Sequence, residues 1–98
     1  MNVELLKRLC ETPGVPGREE RVRKLIEKEV DGLFDETRVD AMGSLICTRH
    51  PRGKGGGGKK KQSRPTRVMQ LCHMDEIGFY VTFVDDKGFI WLNNAGGF

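Results

Sequence analysis

Long apolar runs and paired cysteines are both missing from this 98-residue chain. No run approaches the roughly 20 apolar residues that a membrane span requires, and the acidic start at Met1–Glu4 does not predict a signal peptide. The three cysteines, Cys10, Cys47 and Cys72, lack C-x-x-C spacing, so we expect buried thiols in a reducing cytoplasm. Hydrophobic residues at 37% and charged residues at 32% indicate a globular chain, either one small domain or part of a larger one.

Acidic residues are also missing from the stretch between Arg49 and Arg67, which holds eight of the 17 basic residues. Without those eight, the net charge of +3 would become −5, so the basic character belongs to one loop. We interpret residues 50–65 as a flexible, solvated loop, rich in glycine and lysine, that joins two strands.

Two binding functions for this loop compete with that interpretation. A phosphate-binding P-loop would need Ser or Thr after Gly58-Lys59 and then a helix, whereas Lys60 follows and Pro65 favours an extended exit. A nucleic-acid patch would include aromatic residues for base stacking, which the loop lacks. The sequence therefore predicts neither a nucleotide nor a nucleic-acid partner; salt-sensitive DNA retention that depends on the loop would contradict this.

Two amphipathic helices open the chain. The apolar spacing from Val3 to Cys10 predicts a helix over 3–11, with Asn2 as its N-cap. Two prolines and two glycines within 13–17 predict a turn. Apolar residues then recur at helical spacing and predict a second helix over about 18–34, with oppositely charged pairs on its exposed face.

The apolar period changes from helical to alternating after the second helix. Segments around 37–39 and 45–48 predict two strands joined by a turn at 40–43. Val68–Cys72 is nearly continuous in apolar character, which predicts a buried strand.

A hairpin is predicted for the last part of the chain. Alternating residues in 79–84 and 89–92 flank the turn-forming Asp85–Gly88. The order of helix, helix and strands therefore predicts an α/β sheet edge up to about residue 75, followed by the start of a β-rich module.

The run Cys72-His73-Met74-Asp75-Glu76-Ile77-Gly78-Phe79 follows the predicted strand and carries the candidate chemistry. In an extended backbone His73 and Asp75 point to the same face, whereas Cys72 points to the opposite one. A nearby carboxylate fixes the tautomer of a histidine and makes it a good metal ligand. A solvated histidine bonded to a local carboxylate is the competing interpretation.

This run resembles the signature of the tetrahedral dinuclear metallo-aminopeptidases, metallopeptidase family forty-two. That family includes glutamyl and deblocking aminopeptidases, FrvX-like proteins and proteins named endoglucanase or cellulase M. Three further segments resemble it: Leu5–Glu19, its first helix and Pro/Gly turn; Asp40–Leu45, with Ser44 where Asn is usual; and Asn94–Phe98, its Gly-Gly-aromatic segment. The resemblance covers nearly the whole chain outside the loop, and well under half of the family's full length.

The resemblance implies a fold and a division into domains. The expected fold class is α/β, the N-terminal part of a phosphorylase/hydrolase-like zinc-peptidase sheet in which two helices precede the strands. Residues 1–76 would belong to the catalytic domain. Residues 77–98 would begin an inserted β-barrel-like domain that drives dimerisation and assembly into tetrahedral dodecamers.

The resemblance also implies an activity. His73 matches a ligand of a centre of two divalent metal ions, zinc or cobalt, and Asp75 matches the catalytic-site residue that orients that ligand. The remaining ligands and the general-base Glu would lie beyond Phe98. The expected function is therefore the N-terminal part of a cytoplasmic aminopeptidase acting on peptides, with negligible activity in this chain alone. The alternative is a non-catalytic assembly or binding module that pairs through the hairpin.

Overall fold

A computed structural model of the chain describes residues 2–52 and 67–97. Helix α1 spans Val3–Glu11 and helix α2 spans Glu20–Val30. Strands β1 (Glu36–Val39) and β2 (Leu45–Thr48) form one antiparallel pair, and strands β3 (Gly78–Val84) and β4 (Ile90–Ala95) form another. Two helices followed by antiparallel strands confirm the α/β class. The greater part of the predicted basic loop lies outside the described residues.

Both helices begin and end for local reasons. The Asn2 side chain accepts a hydrogen bond from the Leu5 amide at 3.1 Å, which confirms the predicted cap of α1. Helix α2 is shorter than the predicted span of 18–34. Gly32 adopts a φ of +70° just beyond its last turn, and this left-handed conformation stops a right-handed helix.

The first strand pair is closed by the predicted turn at 40–43. The Asp40 carboxylate accepts hydrogen bonds from the amides of Met42 and Ser44, each at 2.9 Å. These two bonds hold the pKa of Asp40 below its usual value, because they stabilise the ionised form. The Arg23 guanidinium donates to the Gly43 carbonyl at 3.1 Å and so ties α2 to this turn, whereas the sequence predicted an ion pair with Glu19.

The second strand pair confirms the predicted hairpin. Asp85 closes it, because its carboxylate accepts from the amides of Lys87 and Phe89, each at 2.9 Å. The register shifts between Val81 and Phe83, where β3 carries one residue more than β4. Such a β-bulge increases the local twist of the ribbon.

The prediction of a strand over Val68–Cys72 is wrong. Residues 67–77 form no strand, and among the described residues β1 and β2 pair only with each other. A strand exists only where a neighbour accepts and donates its backbone hydrogen bonds. Val68, Met69 and Leu71 are instead exposed, so no part of residues 2–52 and 67–97 covers the apolar run that predicted burial.

Little of the described chain is buried. Val22 on α2, with 4% of its surface exposed, and Ala95 on β4 are the buried hydrophobic residues among the described positions. The predicted burial of the three cysteines is therefore wrong: Cys10 and Cys72 are exposed and Cys47 is half-buried. No helix within residues 2–52 and 67–97 has the length and apolar character needed to cross a membrane.

We expect the Asn2→Ala variant to lower the free energy of unfolding by about 1 kcal/mol, because it leaves the Leu5 amide without its capping oxygen. Asn2→Asp is the matched control, since aspartate supplies an equivalent acceptor. Urea denaturation followed by circular dichroism measures both variants. Equal stability of Asn2→Ala and the parent chain would contradict the capping role.

Candidate metal-ligand site

His73 and Asp75 form a hydrogen-bonded pair, as the sequence predicted. The ring Nδ1 of His73 donates to the Oδ1 of Asp75 at 2.7 Å. The His73 side chain is 91% exposed, whereas Asp75 is partly covered. The pair therefore presents an accessible imidazole held on one side by a carboxylate.

The carboxylate decides which ring nitrogen of His73 is available to a ligand. An ionised carboxylate can only accept a hydrogen bond, so in the neutral ring the proton must lie on Nδ1. The lone pair of Nε2 is then left to bind a metal ion, which is the arrangement found where a carboxylate supports a metal-bound histidine. The structure therefore gives His73 the tautomer of an Nε2 ligand.

The pair also shifts both titrations. The hydrogen bond to Asp75, together with its negative charge, raises the pKa of His73 above the usual value for histidine. The same hydrogen bond lowers the pKa of Asp75. Asp75 is thus ionised throughout the neutral range, and the protonated form of His73 persists to higher pH than it would without this partner.

A turn from the other end of the chain holds the segment that carries the pair. The Glu76 amide donates to the Gly14 carbonyl at 2.8 Å. The Tyr80 hydroxyl donates to the Pro16 carbonyl at 2.7 Å. The predicted turn at 13–17 therefore lies directly against the residues that follow His73.

The described residues bring together one histidine and one carboxylate rather than a complete metal centre. No group of three or more His, Cys, Asp or Glu side chains within residues 2–52 and 67–97 is arranged to hold a metal ion. His50, the other histidine, lies at the far end of β2, where its Nε2 is 3.0 Å from the Oε1 of Glu36. The donor chemistry of His73 and Asp75 thus fits a metal ion only as one ligand and its orienting carboxylate.

Sequence reasoning found the pair but missed what supports it. The pattern of prolines and glycines predicted a turn at 13–17 without indicating its partner. The glycine at position 78 in the sequence is compatible with a turn or with close packing after the site. The structure shows close packing, because a Cβ on Gly78 would overlap Cγ1 of Val15.

Comparison with known proteins adds an independent line of evidence. Residues 55–98 match the family model described as M42 glutamyl aminopeptidase. The chain is 38% identical over 94 residues to an inferred aminopeptidase of Acetivibrio thermocellus, covering 96% of this chain and 25% of that protein. It is 34% identical over 95 residues to the lysyl aminopeptidase of Pyrococcus furiosus, covering 96% of this chain and 24% of that protein.

The fold is also similar to that of a solved structure. The crystal structure of a TET aminopeptidase from a marine sediment Thaumarchaeota archaeon superposes with a TM-score of 0.74 at 30% sequence identity. The match covers 97% of this chain and 23% of that one. The chain therefore spans about a quarter of the length of the curated relatives and of the solved structure that it matches.

We expect Asp75→Asn to lower the pKa of His73 towards its usual value, because the amide removes the negative charge that favours the imidazolium. NMR titration of the His73 ring signals measures this shift. Glu76→Gln is the control, since it removes an adjacent negative charge that is not bonded to the ring. An unchanged pKa of His73 in Asp75→Asn would show that the pair does not form in solution.

Proposed function

We propose that this chain, which matches the M42 glutamyl aminopeptidase family model over residues 55–98, forms the part of a dinuclear metallo-aminopeptidase that contributes one metal ligand. The observation that carries this proposal is the 2.7 Å hydrogen bond between His73 Nδ1 and Asp75 Oδ1, which leaves Nε2 exposed and unprotonated in the neutral ring. His73 is the proposed ligand, and Asp75 is the residue that orients it.

The proposed metals are two divalent ions, zinc or cobalt, in a centre completed by other parts of the family's longer chain. Such ions, when bound, polarise the scissile carbonyl and activate water for hydrolysis of an N-terminal peptide bond. Within this chain, Asp75 keeps the proton on Nδ1 and sets the ring orientation. The neutral imidazole accommodates zinc and cobalt alike, so this ligand does not distinguish between them.

The substrate class follows from the relatives and not from this chain. One matched family is named for glutamyl residues and one relative for lysyl residues. We infer that peptides are the substrates, and that side chains outside the described residues select the N-terminal residue. The proposed location is the cytoplasm, where the three cysteines, which form no disulfide, would stay reduced.

We expect millimolar Zn²⁺ to shift the His73 ring signals in the NMR spectrum, and His73→Ala to abolish that response. His50→Ala is the matched control, because His50 is the only other histidine of the chain and pairs with Glu36 instead. A Zn²⁺ response that is lost in His50→Ala and retained in His73→Ala would overturn the assignment of His73 as the ligand.

The same samples test the catalytic competence of the chain. With one ligand and no second carboxylate cluster among the described residues, the chain incubated with Zn²⁺ or Co²⁺ is expected to release no chromophore from an aminoacyl anilide. Turnover that disappears in His73→Ala would show that the chain completes the metal centre unaided.

A second proposed function is assembly through the hairpin. We propose that residues 1–76 belong to the catalytic unit and that residues 77–98 begin a β-rich module through which copies of the chain associate. The hairpin supports this, because its strands carry no charged residue and leave large apolar side chains exposed, among them Phe83, Ile90 and Trp91. Exposed patches of this kind on a sheet with open edges mark interaction surfaces.

We expect the chain to sediment as a dimer or larger species at high concentration, and Trp91→Lys to weaken that association by at least about 2 kcal/mol. Trp91 is 61% exposed on β4. Met42→Lys is the control, since Met42 is 90% exposed but lies outside the hairpin. Sedimentation as a monomer at every concentration would contradict the proposal that copies of the chain associate through the hairpin.

A further inference from the structure

The turn at 13–17 contacts residues 76–80, which come shortly after His73, at regular intervals. Gly14 bonds to Glu76 through its carbonyl, Val15 touches Gly78, and Pro16 bonds to Tyr80 through its carbonyl. Consecutive residues of the turn thus meet every second residue of the opposite segment. The side-chain positions of Gly78 and Tyr80, two residues apart on β3, therefore share the face that lies against the turn, and the Glu76 amide adds a backbone contact beside them.

The central contact of this register leaves no room for a larger residue. A Cβ on Gly78 would overlap Cγ1 of Val15, and it would lie 3.4 Å from the Cβ of Val15. Gly78 is not among the glycines with positive φ, so an alanine there would keep a permitted backbone. The restriction at position 78 is therefore steric, and it comes from one methyl group of Val15.

The turn at 13–17 also packs against helix α2. A Cβ on Gly14 would lie 2.7 Å from Cγ1 of Val22, and 3.7 Å from the carbonyl oxygen of Met74. Val22 is one of the few buried side chains of the described chain. Gly14 therefore lies between the helix on one side and the backbone between His73 and Asp75 on the other.

We propose that Val15 and Gly78 are positioning residues, whose close contact places the His73–Asp75 pair at a fixed distance from helix α2. The inference rests on the proposed function, since it concerns the residues that hold the ligand His73. Neither Val15 nor Gly78 has a side-chain atom that could bind a metal ion; each acts through the backbone that carries the pair. A methyl group added at Gly78 would separate the turn from that backbone and break the bond between the Glu76 amide and Gly14.

The test compares four forms of the 98-residue chain: the parent, Gly78→Ala, Gly78→Ala with Val15→Ala, and Gly97→Ala. The double variant removes the methyl group that the new Cβ would strike and leaves the two Cβ atoms at an ordinary contact distance. Gly97→Ala is the matched control, because Gly97 has no other group within 4 Å of an added Cβ and no positive φ.

Two measurements report on position without depending on metal. Amide hydrogen exchange at Glu76 reports the bond to Gly14. The ¹⁵N shifts of the His73 ring, recorded above the end of its measured titration so that the ring is neutral, report the tautomer that Asp75 imposes. In Gly78→Ala we expect Glu76 exchange to accelerate by about tenfold or more, and the two ring nitrogen signals to move towards each other as the tautomers mix.

The rescue distinguishes positioning from a general loss of structure. We expect the double variant to return both signals to within about twofold of the parent values, and Gly97→Ala to leave them unchanged. Unchanged Glu76 exchange and ring shifts in Gly78→Ala, or no recovery in the double variant with circular dichroism equal to that of the parent, would overturn the proposal.

The outcome also separates this inference from the proposed function. If Zn²⁺ does not shift the His73 signals of the parent chain while exchange and ring shifts follow the predicted pattern, the metal role fails and the positioning contact stands. If Zn²⁺ binds at His73 equally in all four forms and the ring shifts do not change, the metal role stands and the positioning contact fails.

Discussion

The packing of the turn at 13–17 against residues 74–80 is the constraint on which the site depends. It joins the helical half of the chain to the half that carries His73, Asp75 and the hairpin. Two backbone carbonyls, those of Gly14 and Pro16, supply the hydrogen bonds, and Val15 fills the space between them. Without this contact, the two helices and the β1–β2 pair would be separate from the β3–β4 hairpin and from residues 67–77, which precede it.

This contact is important because few side chains of the described residues are buried elsewhere. With so few buried side chains, α1 and α2 are held together partly at the surface, where Arg8 and Glu29 form an ion pair at 2.7 Å. Exposed ion pairs contribute little to stability, since water and salt screen them. The apolar residues of 68–71 and of the hairpin are exposed within the described part of the chain, which spans about a quarter of the relatives that it matches.

The sequence predicted those features that local chemistry determines. Asn2, the turn glycines and the alternating hairpin residues each act within a few positions. Helix α1, the pair of strands β1 and β2 and the hairpin appear where these signals place them, whereas α2 is shorter than predicted. The pairing of His73 with Asp75 was equally local, because a spacing of two puts both side chains on one face.

The failures concern features that depend on distant partners. Val68–Cys72 has the composition of a buried strand, but pairing requires a neighbour that the sequence pattern cannot name. The cysteines have the buried tendency of their type, but burial requires a core of sufficient size. The contact of Val15 with Gly78 joins residues more than 60 positions apart, and no periodicity connects them. The fit of Val15 against Gly78 is visible only in the structure, where the two segments lie side by side.

The separation of these segments in sequence bears on folding and on the tolerance of the chain to insertions. The bond between the Tyr80 hydroxyl and the Pro16 carbonyl joins residues 64 positions apart, so we expect it to form after the helices and the β1–β2 pair, whose contacts are local. The entropy of closing such a loop rises only slowly with its length, by about 0.6 kcal/mol for each doubling. The glycine- and lysine-rich stretch lies inside this closure, so lengthening or shortening it by several residues changes the closure entropy very little. Closure entropy therefore places little constraint on the length of that stretch.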